Sequence, residues 1–251
     1  MNEAVVGYIR FFQSRAARPH FVKWLGRSHR YMERYRAIMK EAGLPQDTVF
    51  LAMIESGFGN FAYSRARASG PWQFIGPTGK LFGLKQDFWV DERRDPEKSA
   101  RAAARYLKLL YTQTGDWRLA WAGYNAGVGR IFKAKDKGFD DFWEMAATKG
   151  KKVLRPETKG YVPKLMAAAI VTKHPEAFGF TAEEIERQSW TEYETATTLD
   201  PGQTDAWFDL GRALDGRLRH GTSCSGHRTR FSRDTIVVWC SGSHHRGLPE
   251  Y

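Results

Sequence analysis

Two helices written back to back set the strongest limit on how this chain folds. Asp95 offers a capping carboxylate and Pro96 an opening residue. Ala100, Ala103, Ala104, Leu107, Leu110 and Tyr111 then keep one apolar face until Gly115. Asp116 caps again at once, and Trp117, Ala120, Trp121 and Tyr124 fall at i, i+3, i+4 and i+7 before Gly127 stops the run. The spacing predicts further helices over 19–42, stopping at Gly43, and over about 162–173, where Val162, Leu165, Met166, Ala169 and Ile170 share a face and Pro163 suits the first turn. The expected class is mainly α with little β structure. After about residue 190 the periodicity fades into a weakly structured tail, with one candidate strand at DTIVVWC.

Between 44 and 95 the pattern changes. Pro45 opens a short helix whose stripe of Val49, Phe50, Met53 and Ile54 points to a core, and Gly57 and Gly59 end it. Glu55 stands at that end, in LPQDTVFLAMIE, and the chain runs on into SGFGNFAYSRARASGPWQFIG. A carboxylate beside a buried face meets the negative pole of the helix dipole and partial desolvation, and both raise its pKa. Such a group is equipped to act as a general acid near neutral pH. The Gly-, Pro-, Ser- and aromatic-rich stretch 57–95 is long for a plain loop and reads as a binding segment. From Gly57 to Gly83 it contains no Asp or Glu.

Charge narrows the partners. Lys and Arg outnumber Asp and Glu 39 to 28, a net +11, which suits an anionic partner such as nucleic acid, a membrane surface or an acidic wall polymer. No apolar run is long enough to span a bilayer, so no transmembrane segment is expected. The N-terminus, MNEAVVGYIRFFQS, shows no export signal. The two cysteines, Cys224 and Cys240, lie in the tail with His227 and His244 at a spacing open to zinc, to a disulfide or to free thiols. Free thiols are the default, and neither a metal nor a cofactor is expected.

The motifs in order are ES at 55–56, Ser64, GPWQFI at 70–75, AGYNAG at 122–127 and PETKGYV at 156–162. This order resembles the lytic transglycosylases of the soluble-lytic-transglycosylase type, which have a goose-lysozyme-like fold. TGKLFGLKQDFWVDERRDP, GDWRLAWAGYNAGVGRI and ETKGYVPKLMAAA are similar to segments of the family's D-type membrane-bound murein branch, and the likeness covers roughly 5–180.

The resemblance implies domains at 1–43 (an N-terminal helical segment), 44–178 (the transglycosylase domain) and 179–251 (linker and tail). It implies Glu55 as the single catalytic acid and base. Substrate-binding roles fall to Ser64, Gln73, Phe74, Tyr124, Asn125, Glu157 and Tyr161. Tyr124, Asn125 and Ser64 would orient an acetamido group, while Tyr161 and Gln73 would bond Glu55 or sugar hydroxyls.

Plainer readings stand beside these. Trp72 and Phe74 stack on sugars or plug the core; Tyr124 and Trp121 sit at core spacing; Glu157 suits a first helical turn. Asn60 stands where many members have proline, and Arg67 where many have glycine.

The implied partner is the glycan strand of peptidoglycan in the periplasm or cell envelope, not nucleic acid. The implied reaction cleaves the β-1,4 bond and leaves 1,6-anhydromuramic ends. A lysozyme-like muramidase and a non-catalytic wall-binding protein are the alternatives.

Overall fold

The computed structural model describes residues 2–149, 153–199, 227–232 and 235–240. The chain divides into two compact units, Met1–Ser189 and Trp190–Tyr251.

In the first unit α1 (Glu3–Gln13) and α2 (Arg18–Glu41) lead to a 3-10 turn (Gln46–Val49) and the short α3 (Phe50–Ser56). Then come α4 (Gly76–Leu81), α5 (Pro96–Thr114), α6 (Trp117–Ala126), α7 (Val128–Lys135), α8 (Phe142–Ala147) and α9 (Pro156–Lys173); α10 (Ala182–Leu199) begins before the unit ends at Ser189. The α5–α6 punctuation forms as the sequence predicts. Asp95 accepts from the amides of Glu97 and Lys98 at 3.0 and 2.8 Å. Asp116 accepts from those of Arg118 and Leu119 at 2.8 and 3.1 Å. Gly115 takes the left-handed φ of 72° that releases the first helix.

The structure corrects two expectations and adds detail to a third. The last predicted helix begins at Pro156 rather than near 162, so Pro163 lies inside it, and Pro156 takes the first-turn place. Segment 57–95, too long for a plain loop by its sequence, is partly regular. It carries α4, a 3-10 turn at Glu92–Arg94 and isolated bridges Tyr63↔Ser69, Ser69↔Phe74 and Gln86↔Asp91. Tyr111, placed on the apolar face of α5, is 38% exposed and stacks on Trp117 instead. α1 falls within the segment 1–43 expected to be helical, while α7, α8 and α10 have no counterpart in the sequence reading.

α9 is the hub of the unit: it packs against α1, α3 and α6. Tyr161, Val162, Leu165, Ala167, Ala168, Ala169 and Val171 are all buried, on several faces of the helix, which no single amphipathic stripe would produce. A Cβ at Gly160 would clash with the Tyr8 hydroxyl, so this glycine lets α1 approach. The main core gathers α1, α2, α3, α5 and α9 around Tyr35, Phe50, Trp72 and Leu107. A smaller one joins Leu119, Ile131, Phe142, Met145 and Leu154.

The second unit contains an antiparallel hairpin, β1 (His227–Ser232) with β2 (Thr235–Cys240), in register from His227↔Cys240 to Ser232↔Thr235. Its second strand is the one expected at DTIVVWC. Of the four tail residues with ligand chemistry, Cys224 and His244 lie outside the described residues.

Candidate active site

Glu55 ends α3 because the chain must turn there. Gly57 adopts φ 60°, and a Cβ on it would run into the Trp24 ring, so only glycine lets the helix stop against α2. Ser56 then ties the helix end to the next segment: its hydroxyl donates to the Pro71 carbonyl at 2.8 Å and accepts from the Gly59 amide at 3.0 Å. The stretch after Glu55 is held in unusual backbone conformations. Among the described residues, the non-glycine residues with positive φ are Phe58 (61°), Arg67 (61°) and Gln73 (48°), all in this segment. Such strain gathers where surrounding structure overdetermines a site. Its anchor is Arg93, whose guanidinium donates to the carbonyls of Arg67 and Phe74 at 2.9 and 3.0 Å and is paired with Asp91.

The Glu55 carboxyl is partly exposed, and its surroundings are apolar on the helix side. Burial pushes its pKa up to about 7, against the opposing pull of the Tyr161 hydroxyl and the Lys164 ammonium; the Glu157 charge adds a smaller upward push. The Tyr161 hydroxyl donates to Glu55 Oε1 at 2.6 Å. Burial and the Glu55 charge raise the tyrosine's own pKa well above the usual value, so it stays a proton-bearing donor. One carboxyl oxygen is thereby fixed, and the other can carry a proton.

Tyr124 is held from the other side: its hydroxyl donates to the Trp72 carbonyl at 2.8 Å, and burial, with the Glu55 charge next, raises its pKa well above the usual value. Asn125 accepts from the Thr158 hydroxyl at 2.8 Å and reaches Glu157 at 3.4 Å. The YNAG and ETKGY segments thus meet directly.

The structure brings together Glu55, Tyr161, Tyr124, Asn125 and Glu157. Ser64 and Gln73 shape the intervening segment: Ser64 Oγ accepts from the Ala68 amide at 3.1 Å, and Gln73 Nε2 donates to the carbonyls of Ala62 and Gly70 at 3.2 and 2.8 Å. The donor to Glu55 is Tyr161; the Gln73 amide is spent on backbone. Phe74 requires a correction. It is 2% exposed and packs against Tyr106 and Tyr124, so it fills the core and offers no face to a sugar; Trp72 is buried as well.

Lys164, which the sequence reading did not single out, also acts on Glu55. Its ammonium donates to the Ile54 carbonyl at 3.1 Å and lowers the Glu55 pKa, while burial depresses its own. The available signal was spacing: Glu157, Tyr161 and Lys164 recur at i, i+4 and i+7 on α9, and the last two bond to α3. Among the described residues no group of His, Cys, Asp and Glu could hold a metal ion, and no helix is long and apolar enough to cross a membrane.

Residues 35–144 match the family model described as the transglycosylase SLT domain. The membrane-bound lytic murein transglycosylase D of Escherichia coli (strain K12) is 38% identical over 159 residues, 61% of this chain and 34% of that protein. A putative tributyltin chloride resistance protein of Alteromonas sp. (strain M-1) is 33% identical over 116 residues, covering 45% of this chain and 56% of its own. The chain therefore spans about a third and about half of these relatives' lengths. A solved structure of an inactive mutant of the lytic transglycosylase Slt from Pseudomonas aeruginosa aligns with TM-score 0.44 and 22% identity, over 63% of this chain and 26% of that one.

Proposed function

With a transglycosylase SLT domain at residues 35–144 as the premise, we propose that the protein is a peptidoglycan lytic transglycosylase with Glu55 as both acid and base. The observation that carries the reading is the state of Glu55: a carboxyl raised to about 7, with one oxygen held by Tyr161.

Protonated Glu55 donates to the glycosidic oxygen as the bond to the anomeric carbon of N-acetylmuramic acid breaks. The sugar's own acetamido oxygen stabilises the positive carbon in place of a second carboxylate, consistent with the acid-free stretch from Gly57 to Gly83. Glu55, now ionised and steadied by Tyr161 and Lys164, takes the proton from the C6 hydroxyl. The C6 oxygen closes on the anomeric carbon, giving the 1,6-anhydro end. One bond breaks and one forms, the proton returns to Glu55, and no water is consumed.

In this reading Asn125 and Tyr124 orient the acetamido group, and Thr158 supports it by holding the Asn125 amide. Ser64 and Gln73 support the cleft wall, and Glu157 closes its far side. The site of action is the cell envelope, as the membrane-bound name of the Escherichia coli relative suggests.

Glu157 gives the hydrolase alternative its one foothold, because it is an exposed second acid whose charge reaches Glu55. Digestion of purified peptidoglycan by wild type, Glu55→Gln and Glu157→Gln, read by mass spectrometry, separates the two. Anhydro products from wild type and Glu157→Gln but not from Glu55→Gln are expected. Reducing-end products that depend on both acids would make the protein a muramidase, and no products from wild type would end the enzymatic reading.

A further inference from the structure

Beside the site lies a hollow of about 460 Å³ lined by Ala126, Gly127, Arg130, Lys133, Lys137 and Val153. Its volume is within the range of small-ligand sites. Two of its lining residues, Ala126 and Gly127, directly follow Asn125 and complete the YNAG segment. Arg130, Lys133 and Lys137 recur at i, i+3 and i+7 along α7 and the turn after it, placing three cations on one side. Neighbouring cations have partners: Lys135 donates to the Thr114 carbonyl, and Arg118 pairs with Asp116 and Asp141. Among the described residues, no carboxylate pairs with the three that line the hollow. Gly127 and Gly129 present no side chain, and a Cβ on either would meet nothing within 4 Å, so the floor stays open.

Resting on the proposed activity, we infer that this hollow binds a carboxylate of the peptide stem carried by the substrate's muramic acid. The sugars themselves are neutral once the lactyl group is amide-linked, so an anion entering beside the cleft comes from the stem. A guanidinium and two ammonium groups around an open floor suit a carboxylate at the end of a flexible peptide. The hollow sets which glycan strands are gripped, not the chemistry at Glu55.

The test compares wild type with Arg130→Ala/Lys133→Ala/Lys137→Ala on glycan strands bearing stems and on strands stripped of them by an amidase. The account predicts that KM on stem-bearing strands rises about tenfold, as expected for three partly exposed charges, with kcat unchanged. On stripped strands the two proteins behave alike. Calorimetry with the free stem peptide should give binding to wild type that is lost in the triple variant and weakened by salt.

A triple variant impaired equally on both strands would overturn the proposal, as would a wild type indifferent to the stem. So would binding of inorganic phosphate without binding of the peptide, which would make the ligand a phosphate. Peptide binding is read without turnover, so a protein that binds the peptide here but releases no anhydro ends refutes the activity and leaves the hollow standing.

Discussion

Glu55→Gln should stabilise the folded domain at alkaline pH and leave it unchanged at acid pH. In the native structure the carboxyl titrates near 7, against 4.5 for an unperturbed glutamate. Below about pH 4 both folded and unfolded chains hold the proton, and the side chain is neutral like glutamine. As pH rises from 4.5 towards 7 the unfolded chain gives up its proton first, so the folded state binds more protons and stability falls. Once both states are ionised, the buried charge costs the fold about 3 kcal/mol.

Glutamine keeps an oxygen for the Tyr161 hydroxyl and escapes that cost. For a domain of this size the gain corresponds to roughly 6–12 °C in Tm. Thermal unfolding of both proteins across the pH range, followed by circular dichroism, measures it. A Tm difference independent of pH, or a mutant less stable at alkaline pH, would refute the claim that desolvation governs this carboxyl.

Other predictions follow from the same geometry. Tyr161→Phe removes the donor that lowers the Glu55 pKa, so the alkaline limb of the pH–rate profile should move up while kcat falls about tenfold or more. An unmoved limb would show that the hydroxyl does not act on Glu55. Lys164→Met should move the same limb in the same direction, since its ammonium also lowers the Glu55 pKa. Arg67→Gly should raise stability by about 1 kcal/mol in denaturant unfolding, because an exposed side chain is held there at φ 61°; a loss would mean that the arginine makes a compensating contact. Gly70→Ala should unseat the strained segment and abolish activity, because its Cβ would overlap the Arg93 carbonyl; unchanged turnover would show that the segment relaxes freely.

Much of this was legible in the sequence because the signals are local. Asp95–Pro96, Gly115–Asp116 and Gly127 punctuate α5 and α6 by capping chemistry alone, and Glu55 at the end of an apolar stripe announces its own desolvation. What escaped depends on tertiary packing. α9 is buried on several faces, so its true start at Pro156 leaves no one-sided pattern to follow. Phe74 reads equally as sugar platform or core plug until Tyr106 and Tyr124 close around it. Lys164 lies far along the chain from Glu55, and only the packing of α3 on α9 joins them. Arg67 shows the converse. Its departure from the glycine common in the resembling family is visible in the sequence, and the structure supplies the reason glycine suits the place, a left-handed backbone.

The central claim is that Glu55 serves in turn as acid and base on a substrate that supplies its own nucleophile. Digestion of peptidoglycan in water enriched in heavy oxygen tests this most directly, with the isotope content of each new muramic end read by mass spectrometry. The account predicts anhydro ends containing no heavy oxygen, released by wild type and absent with Glu55→Gln. Heavy oxygen incorporated at the anomeric carbon of every new end would show that water is the nucleophile and would contradict it.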